Sequence, residues 1–232
     1  MKPKVLINYT ILCLIWGTTW IVLKKSLMEG TPPFFGAGFR FFFAGLILWA
    51  IILYKKERPS FAILPLKLYV QFGFLNLTVC YGLTYWATQF IYSSLSSIIW
   101  AGFPICVTIL SYFMLPNEVL TKKKLFSLFL GTLGAFFILK EGMKFEGDSV
   151  VFGITIVMIA VVIASYPSVY LKKHSDVLTS LHLNAVSQLM AGIILLSVSY
   201  FVESDQAMIW SQFNIFALLY LTIPGSLIAW LD

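Results

Sequence analysis

The chain has 232 residues, of which 59% are hydrophobic and only 11% charged, with a mean hydropathy of +0.90 and a formal charge of +6. A soluble domain carries about 25% charged residues, so this composition excludes a water-soluble globule. The basic residues sit in short connections between apolar runs, which accounts for the positive charge without a nucleic-acid partner.

Breaks at polar, Gly and Pro residues divide the chain into eight predicted spans, near residues 5–23, 34–54, 68–90, 95–115, 124–140, 150–171, 181–202 and 213–231. Continuous apolar runs of this length cross a hydrocarbon core about 30 Å thick, whereas a barrel needs alternating segments of about ten residues. The fold class expected is therefore an all-α polytopic membrane protein. The run behind MKPK reads as the first span, because no small-residue cleavage site follows it. It carries Trp16, one of the aromatics expected on a substrate pathway.

Span 2 contains Arg40 in the stretch GTPPFFGAGFRFFFAGLIL. The position is about seven residues into the helix, roughly 10 Å deep, too far for easy snorkelling, so Arg40 faces protein or water. Two uses are expected. It offers a fork of donors to an anionic group of a substrate, or it clamps the fold by satisfying carbonyls near Pro104 and stacking on Phe39, Phe41, Phe42 or Trp49.

Span 3 brings Asn76, Thr78, Tyr81 and Tyr85, and span 4 brings Ser96, Ser97, Trp100 and Pro104. Among these, Asn76, Tyr81, Tyr85 and Trp100 join Arg40 as pathway candidates, since aromatic rings with polar edges suit flat or amphipathic metabolites. Span 5 presents Ser127, Gly131, Gly134 and Ala135, and span 6 presents Ala160, Ala164 and Ser168, two small-residue series expected to be packing seams. Pro104 and Pro167 mark kinks and hinges. In span 7, Asn184 and Gln188 are four apart and share a face, which suits a polar stripe along a pathway or interhelical hydrogen bonding.

Cys13, Cys80 and Cys106 read as small core residues, and no spacing suggests a disulfide, a metal site or a cofactor. His174 and His182 read as surface residues. Glu118 and Asp176 fall in inside connections, where ion pairs with lysines or solvent exposure are expected. No carboxylate lies deep in a span, so an Asp/Glu proton relay is not visible. With the N-terminus inside, the inside segments hold 11 of the 16 Lys and Arg and the outside connections four, which orients the chain by the positive-inside rule.

Five spans precede the KEGMKFEGDS connection, so whatever follows enters the membrane from the opposite side. Leu23-Lys24-Lys25 is matched by Leu171-Lys172-Lys173, and Ala44-Gly45-Leu46-Ile47-Leu48 by Ala191-Gly192-Ile193-Ile194-Leu195, at offsets of 148 and 147. Nearly equal offsets support a five-span repeat of inverted topology, residues 1–141 followed by a partial copy over 142–232. Aligning Tyr85-Trp86-Ala87 with Ala229-Trp230-Leu231, an offset of 144, ends the sequence inside the third span of the second copy.

Trp16-Gly17, Pro32-Pro33, Arg40-Phe41, Tyr81-Gly82-Leu83 with Tyr85, Pro104, Glu118, Gly131 and Gly134 follow in an order and spacing that resembles the EamA family of the drug/metabolite transporter superfamily. The resemblance implies a bacterial inner-membrane exporter of ten spans in a five-plus-five inverted repeat, of which about eight are present here, with two more expected beyond Asp232. It implies a secondary transporter of small organic metabolites or drug-like compounds working by alternating access. The expected partners are a small-molecule substrate and the lipid bilayer, with a homodimer compatible with the sequence. The alternatives are a truncated non-transporting remnant or accessory membrane protein and, less favoured, a lipid-modifying enzyme, which would need a clustered acid, base or metal near one interface.

Overall fold

The computed structural model describes residues 3–116, 118–142 and 148–229. Glu146 and the centre of the KEGMKFEGDS connection, Trp230, Leu231 and Asp232, and the side chain of Ala135 lie outside the described residues. The described chain is helical, without strands, and each predicted span coincides with a helix: α1 (Pro3–Met28), α2 (Pro33–Tyr54), α3 (Ile63–Ala87), α4 (Ser93–Met114), α5 (Lys122–Gly142), α6 (Asp148–Lys173), α7 (Ser180–Val202) and α8 (Gln212–Ile228). Among the described residues, α1 to α4, α6 and α7 are long and apolar enough to cross a membrane, six in place of the eight predicted.

Helix starts follow local chemistry. Gly30, at φ +91°, turns the chain out of α1, and Pro33 opens α2 at the position where a missing N–H costs nothing. Thr179 and Ser211 cap α7 and α8 by accepting from the His182 and Asn214 amides. The cap of α2 comes from elsewhere. The Glu203 carboxylate, past the end of α7, accepts from the Phe34 and Phe35 amides at 2.8 and 3.0 Å and from the Ser199 hydroxyl at 2.6 Å. Glu203 is buried, so its charge is met by two orphan amides and the positive end of a helix. Sequence position had suggested only a residue of an outside connection.

Two helices depart from α geometry. Residues Gln71–Cys80 of α3 and Ile223–Ile228 of α8 run as π-helix, one extra residue per turn. In both, a hydroxyl reaches the carbonyl five residues back, Thr78 to Gly73 at 2.9 Å and Ser226 to Leu221 at 3.0 Å. α4 is also broken, turning at Ala101 and Gly102 before Pro104 restarts it near its first helical positions. Pro167 is buried within an uninterrupted α6.

The centre is the crossing of α2 and α7. A Cβ added to Gly45 would stand 2.6 Å from the Leu189 nitrogen, one on Gly38 would stand 2.8 Å from the Leu196 nitrogen, and one on Gly192 would collide with the Phe42 backbone. These glycines let two backbones touch. Phe41, Tyr69, Leu77, Tyr85 and Leu195 pack around them. Ala160 and Ala164 are fully buried against Cys80, a seam between α6 and α3. α5 differs: Gly131 and Gly134 meet nothing within 4 Å and Ser127 is exposed, so these form no seam among the described residues. Of the cysteines expected in the core, Cys13 is exposed on α1.

Candidate functional site

A cavity of about 320 Å³ opens between α1, α2, α3, α4 and α8. Its wall includes Trp16, Thr19 and Trp20 from α1, Arg40 from α2, Tyr81, Thr84 and Tyr85 from α3, Ser97, Trp100 and Pro104 from α4, and Gly225 from α8. Of the residues expected on a pathway, Trp16, Arg40, Tyr81, Tyr85 and Trp100 meet here, together with Pro104. The break before Pro104 lets both halves of α4 contribute to the wall.

Arg40 is 2% exposed. Nε donates to Ser226 Oγ at 2.7 Å, Nη2 to the Gly225 carbonyl at 2.7 Å and Nη1 to Tyr85 Oη at 3.1 Å. The guanidinium also lies 5.2 and 5.3 Å from the centroids of Phe41 and Tyr81, within cation–π range. Among the described residues no carboxylate pairs with it. The one carbonyl it satisfies, that of Gly225, belongs to the π-helical turn of α8, not to the surroundings of Pro104. A guanidinium has five N–H donors, and three are engaged. Arg40 therefore ties α2 to α8 and still fronts the cavity.

The aromatic wall is continuous from that cation. Phe41 meets Tyr81 edge-on with centroids 5.1 Å apart, Tyr81 lies 6.1 Å from Trp100, and Trp100 lies 6.2 Å from Trp20. Trp100 keeps its indole N–H buried without a hydrogen-bond partner. An aromatic surface with one fixed cation and a spare neutral donor can hold a flat molecule by its face and an acceptor group by its edge.

Asn76, Asn184 and Gln188 do not reach the cavity. All three are buried, and Gln188 Nε2 donates to Asn184 Oδ1 at 3.2 Å and to the Ser226 carbonyl at 3.4 Å. The four-residue spacing put the two amides on one face, as expected, but that face braces α7 against α8. Sequence reasoning missed Thr19, Thr84, Ser97 and Gly225. Trp20, one turn above Trp16, gave a readable signal; Gly225 gave none, because its role comes from the π-helical turn.

The two ends of the bundle are tied differently. At the end where α1 finishes and α2 begins, Lys24 donates to the Thr88 and Gln89 carbonyls at 2.8 and 3.0 Å, and Asn214 donates to the Glu29 carbonyl at 3.0 Å. At the opposite end Glu118 pairs with Lys124 and Lys172, and these two contacts, the Lys124 hydrogen bond foremost, hold its carboxyl below the usual carboxylate range. There too, His182 Nε2 lies 2.9 Å from a Glu57 carboxylate oxygen, without hydrogen-bond alignment. His182 is thus engaged at this end, where a free surface residue was expected.

Residues 4–140 match the EamA-like transporter family. An uncharacterized transporter of Bacillus subtilis, YoaV, is 29% identical over 94% of this chain and 74% of its own length. Protein PagO of Salmonella typhimurium is 31% identical over 95% and 72%. A protein of Chlamydia muridarum named as an S-adenosylmethionine/S-adenosylhomocysteine transporter is 28% identical over 88% and 65%. A crystal structure at 20% identity covers 97% of this chain and 76% of its own with a TM-score of 0.76, a likeness of fold. The chain belongs to the EamA-like transporter family, whose named relatives are membrane transporters and not enzymes.

Proposed function

We propose that the protein is an inner-membrane secondary transporter that exports small organic molecules by alternating access of the cavity around Arg40. The observation that carries this reading is the cavity itself: a chamber with one buried cation and an aromatic wall, enclosed by four helices of the first half and α8 of the second. An intramembrane charge that faces a cavity marks a pathway.

The inverted five-span repeat is supported by reciprocal contacts. Gly45 backs onto Leu189 and Gly192 onto Phe42, and adding 147 to residues 45 and 42 gives 192 and 189. Exchanging the halves therefore returns the same contact, as a pseudo-two-fold axis through the α2/α7 crossing requires. Thr78 and Ser226, with their matching bonds five residues back, are 148 apart. That offset agrees with the first two spans and differs from the 144 of the Tyr85-Trp86-Ala87 alignment. The basic residues favour a cytoplasmic N-terminus, which puts the Lys24 and Glu203 ties on the outer side.

Efflux of amino acids, purines, aromatic acids and toxic cations from overexpressing cells, against a vector control, tests the function. Export of at least one class is expected; no export of any, with the protein present in the membrane, defeats the proposal. Single cysteines at Lys56 and Asp205 in a cysteine-free background test orientation. Only the one at Asp205 should react with an impermeant thiol reagent in intact cells.

A further inference from the structure

We infer that the cavity selects organic carboxylates that carry a flat ring and no ammonium group; this deepens, and rests on, the transport reading above. The cavity offers donors. Arg40 has two N–H groups left after its bonds to Ser226, Gly225 and Tyr85, one on each terminal nitrogen, enough for a two-pronged contact with an acceptor group. The buried Trp100 indole N–H, on the same wall, has no partner. A buried donor left without an acceptor keeps its desolvation cost, which favours an occupant that brings acceptors.

The charge of the occupant follows from what surrounds Arg40. No carboxylate lines the cavity among the described residues. An ammonium group would lose its hydration without gaining a counter-charge and would stand near a fixed cation, so amines and zwitterionic amino acids are disfavoured. A phosphate dianion would call for a second cation, and among the described residues none lines the cavity. A monoanionic carboxylate balances Arg40 one for one. The ring is argued from the Tyr81, Trp100 and Trp20 faces, whose centroids are 6.1 and 6.2 Å apart in sequence along the wall. A cavity of about 320 Å³ is at the small end of ligand sites, sized for one ring.

Three probes share one ring and differ in charge: 3-phenylpropionate, phenylalanine and phenethylamine. Isothermal titration of the protein in nanodiscs is expected to show 3-phenylpropionate binding at least tenfold tighter than either of the others. Arg40→Lys, which keeps the charge and loses the fork, should weaken it at least tenfold. Trp100→Phe, which keeps a ring and removes the N–H, should weaken it about three- to tenfold with an unchanged thermal midpoint. Equal or tighter binding of phenylalanine or phenethylamine overturns the inference, as does the absence of phenylpropionate binding. Wild-type affinity in folded Trp100→Phe does the same, and that variant decides the matter should Arg40→Lys fail to fold. Selective phenylpropionate binding with no efflux would defeat the transport reading alone. Efflux of cations by a protein that does not bind phenylpropionate would defeat this inference alone.

Discussion

The α2/α7 pair and α5 are built from similar sequence and end in opposite situations. Both carry small residues spaced to align on one helical face: Gly38 and Gly45 on α2, Ala185 and Gly192 on α7, Gly131 and Ala135 on α5. In the pair Gly38, Gly45 and Gly192 are each backed by the other helix's backbone, and the far end is sealed by Glu203 on the α2 amides. On α5 the glycines face open space, and the described side chains are mostly exposed. A small-residue series permits close approach; it does not name the partner. What distinguishes α2 and α7 is that each supplies the other's complement at the same offset.

The largest effect expected from breaking this contrast is at Gly192. Gly192→Val drives a branched side chain into the Phe42 backbone, which cannot yield as a side-chain tip could. A loss of about 3 kcal/mol or failure to fold is expected, measured by thermal unfolding in detergent. Next is Glu203→Ala, which strips the cap from α2 and leaves two part-buried amides without an acceptor. We expect about 1–2 kcal/mol of destabilisation, with Glu203→Gln intermediate.

At the start of α5, Glu118→Gln removes an exposed ion-pair pair and should change stability little, and less still in high salt. Its signature is pH dependence. The folded carboxyl titrates below its unfolded value, so its contribution is present above the unfolded pKa and is lost as pH falls through the folded one. Acid titration of wild type and Glu118→Gln should converge at low pH and separate above about pH 4. The smallest effect is at Gly131. Gly131→Ala should shift stability by no more than about 0.5 kcal/mol, because the new methyl meets nothing. A large loss there would erase the contrast by showing that a partner covers this face.

The sequence was most informative where chemistry is tied to depth. An arginine about two turns inside an apolar run has to face inward, and Arg40 does. The helix positions were also legible, because run length and Pro or Gly breaks fix them to within a few residues. The partner of Arg40 was not: Gly225 meets it through a π-helical turn, and a one-residue excess within a helix leaves no mark in an apolar pattern. Glu203 falls between the seventh and eighth predicted spans, and its role was not legible there because it depends on an amide terminus 169 residues away in sequence. Asn184 and Gln188 were placed on a shared face correctly, but spacing cannot say whether a face borders a cavity or another helix.

A fixed guanidinium with no carboxylate paired to it among the described residues also acts as electrical insulation. A proton or sodium ion drawn to within about 6 Å of Arg40 meets roughly 3 kcal/mol of repulsion at an effective dielectric of about 20, which lowers its occupancy there about a hundredfold. The charge is anchored by three hydrogen bonds reaching α3 and α8, so it cannot swing aside without breaking the bundle's own ties. On the proposed transport reading, the chamber can thus be wide enough for a ring and still be a poor conductor of small cations.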